Sequence, residues 1–147
     1  MHLIKIANRL LKNELSATET YQQILNRSPN DGGMKEKAFL IPIYKGHKDA
    51  ASSLQKHIRK LGGTPAEHSG VGDAWRKIVQ GGANMLGKKS ALKALWEGEK
   101  NRTEEYEKVL RNTQLPLSIR CLIEWKLLLV QKSHTRILDR LLYTATA

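Results

Sequence analysis

Leu10-Leu-Lys-Asn-Glu-Leu-Ser-Ala-Thr-Glu-Thr-Tyr21 places a carboxylate on the apolar stripe of an amphipathic helix. Followed in both directions, the stripe reads Leu3, Ala7, Leu10, Glu14, Ala17, Tyr21 and Ile24. Its alternating steps of four and three are those of the inward seam of a helix packed in a bundle. Glu14 is therefore expected to point into the core. A buried carboxylate needs a cation, a metal or a proton, so another helix must bring its partner.

The same rhythm recurs three times. A second helix, from about Met34 to Leu61, carries Leu40, Tyr44, His47, Ala51, Leu54, Ile58 and Leu61 on its seam. Pro42 near its start either kinks it or marks its N-terminus, and Gly62-Gly63 closes it as a C-cap. A third helix, with Ser90 as its N-cap and an end near Asn112, turns Leu92, Leu95 or Trp96, Glu99, Thr103 or Tyr106, and Leu110 inward. A fourth, from about Pro116 to Tyr143, does the same with Ile123, Leu127, Val130, His134, Ile137 and Leu141.

The connections complete the topology. The first helix is expected to stop near residue 27, before the breaker run Ser28-Pro-Asn-Asp-Gly-Gly33. Between Thr64 and Lys89 the chain is Gly-rich, with Asp73-Ala-Trp-Arg-Lys-Ile-Val-Gln80 predicted as a short helix. A link of roughly 25 residues is too long for a hairpin between neighbours but suits a crossover along the full height of a bundle. The expected fold is all-α: an antiparallel four-helix bundle whose long crossover carries a short extra helix, in one domain over residues 1–147.

Composition agrees with helix and excludes several function classes. Of 147 residues, 40% are hydrophobic but only 5% aromatic, with 4 prolines, which suits a core of Leu, Ile and Ala. Cys121 stands alone, so neither an internal disulfide nor a Cys-rich metal site can form. The apolar N-terminal residues are interrupted by Lys5 and Arg9 and make neither a signal peptide nor a membrane span. A cytoplasmic location without a membrane partner is expected. The 25 Lys and Arg against 14 Asp and Glu give a charge of +11, but the cations are dispersed, with no basic arm and no nucleic-acid motif. A solvated cationic surface is the leading reading, with non-specific attraction to nucleic acid the minor one. Trp75, Trp96 and Trp125 are many large aromatics for so Phe-poor a chain. One of them is expected at a homodimer interface on the second-helix or crossover side.

Each helix carries an ionisable or polar residue on its seam: Glu14, His47 with Tyr44, Glu99, and His134. Counted from the turns at ~1.5 Å per residue, their heights agree within one or two turns, so all four can meet in one layer. Two carboxylates and two imidazoles are a ligand set for iron, manganese or zinc; the same groups can also satisfy one another as ion pairs in a metal-free core. No Ser, Cys or Thr has the neighbouring base a nucleophile needs, and the Gly-Gly pairs do not follow a strand as a phosphate loop would.

Asn13-Glu-Leu-Ser-Ala-Thr-Glu-Thr-Tyr21 resembles the first helix of bacterioferritins, in which a Glu followed by Leu, Ala and an aromatic supplies a metal ligand. Leu61-Gly-Gly-Thr-Pro65, Gly98-Glu99 with Tyr106, and Gln131-Lys-Ser-His134 extend the resemblance along the chain, to the ferritin-like superfamily and to its small bacterial four-helix members of unknown function. The resemblance implies a di-iron type of centre, with a Glu from each of two helices and Glu-x-x-His from each of the other two. Glu14 and Glu99 match the single carboxylates and His134 the fourth-helix histidine, whereas Gln131 replaces the carboxylate three residues before it. On the second helix either Tyr44-x-x-His47 or His47-x-x-Ala50 fills the motif, and neither supplies a carboxylate. The bridging anions are missing, which leaves a single metal, a weakened site or a relic. The functions to weigh are a degenerate metal site for stress-related metal or oxygen chemistry, a non-enzymatic bundle acting as an interaction scaffold, and a cationic DNA-protecting protein.

Overall fold

A computed structural model describes residues 2–26, 37–69 and 87–144. Within them four helical rods form and no strand. Helix α1 spans His2–Leu25, α2 Lys37–Lys60 and α3 Gly87–Leu110. The fourth rod is α4, Leu117–Leu122, continued through a π turn at Ile123–Leu127 into α5, Leu128–Thr144. The expected all-α bundle is what the sequence folds into.

Helix α1 packs on α2 and α3 on α5, and the two pairs meet along α1 with α3 and α2 with α5. Side-chain contacts give the directions. Arg9 reaches Glu105 while Tyr21 reaches Glu99, so α1 and α3 are antiparallel. Lys126 bonds Ser53 whereas His134 lies against Gly46, so α2 and α5 are antiparallel as well. With α1 and α2 forming a hairpin, α2 and α3 must run the same way, and the chain between them has to return over the bundle's height. Its described beginning does so: the Asn8 side chain bonds the Thr64 carbonyl and the Ala66 amide, and Ser69 bonds Glu19, so the segment climbs along α1. Asp73–Gln80, predicted as a short helix, and the breaker run 28–33 lie outside the described residues.

The helix ends follow local chemistry. At the end of α2, Gly62 adopts φ 82°, and the amides of Gly62 and Gly63 bond the carbonyls of Arg59 and Ile58. This is the left-handed cap that an L side chain disfavours. Arg120 closes α3 from outside, donating to the Leu110 and Asn112 carbonyls at 2.9 and 2.6 Å. Ser90 is not a cap: α3 already begins at Gly87, because Lys88 and Lys89 are good helix formers and carry the helix upstream of it. Pro42 neither starts nor stops α2; it sits inside the helix with its ring exposed.

The seam of α1 is as expected, with Ala7, Leu10, Glu14, Ala17, Tyr21 and Ile24 buried. On α2, Ile43 takes the inward place expected of Tyr44, which is half-buried beside Lys48. On the last rod the wide π turn adds a residue to the repeat. Beyond it Gln131, His134, Leu138 and Leu141 face inward, and Val130, expected on the seam, is turned out. Two apolar clusters result. One holds Leu10, Leu11, Leu54, Ile58, Ile119, Ile123 and Leu127, the other Ile24, Leu40, Ile43, Leu92, Leu95, Leu138 and Leu141.

Candidate metal centre

Between the two apolar clusters lies a polar layer. Glu14 from α1, His47 from α2, Glu99 from α3, and Gln131 and His134 from α5 are all buried. His47 is at its centre. Its Nδ1 is 2.5 Å from Glu14 Oε2, and its Nε2 is 2.9 Å from both oxygens of Glu99. An ionised carboxylate only accepts, so a ring between two of them is best served by two N–H groups, that is, by imidazolium. Burial pushes the His47 pKa down, but the charges of Glu99 and Glu14 and their hydrogen bonds outweigh it and hold it up at about 9.

Glu99 is the most heavily bonded group. Tyr21 donates its hydroxyl to Oε2 at 2.8 Å and Arg102 donates there at 3.3 Å. Gln131 Nε2 donates to both Oε1 and the Glu99 carbonyl at 2.9 Å, and His134 Nδ1 lies 3.2 Å from Oε1. Burial pushes the Glu99 carboxyl up, yet the His47 charge and the bonds from His134 and His47 hold it well below the usual carboxylate range. Glu14 is closed by Tyr106, whose hydroxyl donates to Oε1 at 2.5 Å. Burial, and then the neighbouring carboxylate, raise both tyrosines well above the ordinary phenol value, so each stays a neutral donor. Two carboxylates therefore meet two cations, His47 and Arg102, and the layer is close to charge-balanced.

Of the residues read from the sequence, Glu14, His47, Glu99, His134 and Gln131 come together and Tyr44 stays outside. With Ala50 buried beyond His47, the inward register on α2 is His47-x-x-Ala50. Tyr21, Tyr106 and Arg102 join them in the layer without a place in the metal-ligand motif. A tyrosine on a buried seam needs an acceptor for its hydroxyl, and Arg102 stands three residues after Glu99 on one helix face.

Gly46 is the least conspicuous member. A methyl group there would overlap His134 Nε2 and lie 2.9 Å from its Cε1, with Val130 Cγ1 behind at 3.2 Å. The imidazole thus lies against bare backbone, and its signal in the sequence was an isolated glycine inside a helical pattern. Alanine normally stabilises a helix interior by about 0.5–1 kcal/mol over glycine. Here Gly46→Ala is expected to have the opposite sign, destabilising by about 1–3 kcal/mol, because the ring is held by Glu99 and cannot withdraw without losing that bond. Denaturant midpoints of the two proteins check the sign.

Tested against the metal that the sequence resemblance implies, the donor chemistry fits one ion and not two. One ligand atom from each of His47, Glu99 and His134 can be chosen so that all lie within 4.8 Å of one another, which could hold a metal ion. Glu14, on the other ring nitrogen of His47, is placed as the carboxylate that orients a ligating histidine. A second ion lacks bridging anions, since Gln131 offers an amide and Ala50 a methyl, while Arg102 already draws on Glu99.

Among the described residues, four helical rods around a buried layer of carboxylates and imidazoles define a helical-bundle protein with an ionisable centre. The family model described as a domain of unknown function (DUF2383) matches residues 3–112, and the chain belongs to that family. Glu14, His47, Glu99 and Tyr106 lie within the matched stretch; Gln131 and His134 follow it. Comparison with curated proteins and with solved structures finds no match. Among the described residues no helix is long and apolar enough to cross a membrane.

Proposed function

We propose that the chain is a ferritin-like bundle, one domain over residues 1–147, whose interior layer takes up a single divalent transition-metal ion. The observation that carries this is the convergence of the buried His47, Glu99 and His134 from three helices. Nitrogen and carboxylate donors suit iron, manganese or zinc. His47 Nε2, Glu99 and His134 Nδ1 would hold the ion, with Glu14 behind His47 and Gln131 steadying Glu99. Iron or manganese would bring redox and oxygen chemistry of the kind used in stress responses, and zinc Lewis acidity. The protein's own part is to keep Glu99 ionised, to give up the His47 proton from Nε2 when the ion enters, and to exclude water with the apolar clusters on either side. A cytoplasmic location and a homodimer belong to the same reading.

Protein purified without chelator and analysed for metal is expected to carry about one equivalent, or to take up one on reconstitution, and Glu99→Gln to lose it. Less than about a tenth of an equivalent after reconstitution would defeat the reading. One observation favours a second reading, a metal-free bundle acting as an interaction scaffold. Among the described residues the only buried side-chain nitrogen or oxygen without a partner is His57 Nε2, far along α2 from the layer. Both carboxylates of the polar layer and both ring nitrogens of His47 are already bonded by protein groups. On that reading Glu99→Gln leaves cellular function intact in a protein that remains folded.

A further inference from the structure

The outward face of the fourth rod carries an apolar ridge. Leu117, Cys121, Trp125 and Leu129 succeed one another at steps of four and all are exposed, with Leu117 73%, Trp125 70% and Leu129 54% accessible. Val130 is turned out beside them. An outward stripe of this kind is unusual where the facing partner is water, since the solvent side of a bundle helix is normally polar. Trp96 lies half-buried with Lys100 over its ring, so Trp125 is the exposed tryptophan among the described residues.

The charges beside the ridge point to its occupant. Glu124 and Lys126 flank Trp125 in sequence, two residues apart, and although the wide π turn rotates less per residue than the ~100° of an α-helix, they fall on opposite sides of it. Lys126 is on the α2 side, where it bonds Ser53 at 2.8 Å. A two-fold axis parallel to the rod exchanges the two sides, so Glu124 of one copy meets Lys126 of the other, twice. A two-fold axis across the rod keeps the sides and sets Glu124 against Glu124. We propose that this ridge pairs with the same ridge of a second copy, side by side and parallel. Trp125 then packs on Trp125 and Cys121 meets Cys121 near the axis, as an isologous contact requires. This pairing is independent of the metal.

The contact is weak. From Leu117 to Leu129 the ridge runs only about 18 Å, and a strip that long and one helix diameter wide, ~10–12 Å, covers roughly 200 Å², short of the ~800 Å² per partner of a standard interface. Each copy also carries a charge of +11, and like charges repel over roughly a Debye length, ~10 Å at 0.1 M salt. Salt screens the two exposed Glu124–Lys126 pairs as well, but such pairs contribute little, so relief of the repulsion prevails and salt strengthens the dimer, whereas a pairing of the cationic surface with nucleic acid or another anionic partner weakens with salt.

Sedimentation equilibrium of the full chain, from micromolar to about 0.2 millimolar, tests this at low and moderate salt. The expected result is a 16.6 kDa chain in reversible equilibrium with its dimer, with a dissociation constant on the order of 10–100 μM that falls severalfold between about 0.02 and 0.2 M salt. Trp125→Glu is expected to abolish the dimer while leaving the thermal melt unchanged, because the side chain is exposed; Leu129→Glu is the second variant should the first not fold. Mild oxidation should cross-link the wild type through Cys121, within the Cα separation a disulfide allows, ~4.4–6.8 Å, and should leave Cys121→Ser unlinked. A monomer throughout the range, a dimer that survives in a folded Trp125→Glu, or a dimer that cannot be cross-linked through Cys121 each overturns the proposal.

Discussion

Glu99→Ala is expected to be the most damaging single change in the polar layer, costing about 3–5 kcal/mol. The carboxylate receives bonds from Tyr21, Arg102, Gln131 and both imidazoles, and it is fully buried. Its removal leaves the His47 charge facing one carboxylate instead of two and strips the tyrosine and glutamine of their acceptor. Breaking a buried pair costs more than the pair contributes, because the stranded group has no water to turn to. For a chain of this size the loss corresponds to a fall in melting temperature on the order of 10 °C. Glu99→Gln retains hydrogen-bonding capacity and is expected to cost less. A melt for Glu99→Ala within a degree or two of wild type would mean that the layer does not carry the ion pairs described.

Chelator-treated protein is expected to lose stability as pH rises from about 6.5 to about 9. His47 is raised from its ordinary 6.5 to about 9 in the folded state. Its protonation therefore favours folding: the contribution is full below the unfolded value and gone above the folded one. A shift of this size is worth about 3 kcal/mol. Glu99 acts in the other direction, since its depressed value makes a contribution that is present above the ordinary carboxylate range and lost as the pH falls toward the folded value. The metal-free protein should accordingly be most stable between roughly pH 5 and 6.5. A metal-loaded sample should show the opposite trend across this window, because acid competes with the ion for imidazole. Melts on both preparations, with His47→Gln as the control whose alkaline slope disappears, distinguish these behaviours. Superimposable wild-type and His47→Gln profiles would remove His47 from the centre of the layer.

The sequence disclosed the bundle because its helices follow the 3.6-residue repeat closely enough for one polar residue to stand out on each seam. Glu14, His47, Glu99 and His134 are visible as intruders in rows of Leu, Ile and Ala, and the long connection between Thr64 and Lys89 implies a crossover along the bundle's height, which makes α2 and α3 run the same way. The rest depended on features without a pattern signature. A π turn has no composition of its own, so a repeat carried through Ile123–Leu127 without the extra residue turned Val130 inward in place of Gln131. Tyr44 and Ile43 are neighbours on a helix whose inward face spans both, and which is deeper is decided by the facing helices. The slot at Gly46 is a matter of what approaches from α5, which α2 alone does not encode.

The placement of the polar layer between two apolar clusters also fixes the alignment of the helices. Leucine, isoleucine and alanine pack nearly as well after one helix slides a turn, ~5.4 Å, against another, so an all-apolar seam tolerates several offsets. With the layer present, such a slide would carry Glu99 or His47 into hydrocarbon and leave their four-helix set of partners behind. The ionisable residues thus act as an index mark, selecting one vertical offset among many of similar packing energy, and they do so whether or not an ion is ever bound there.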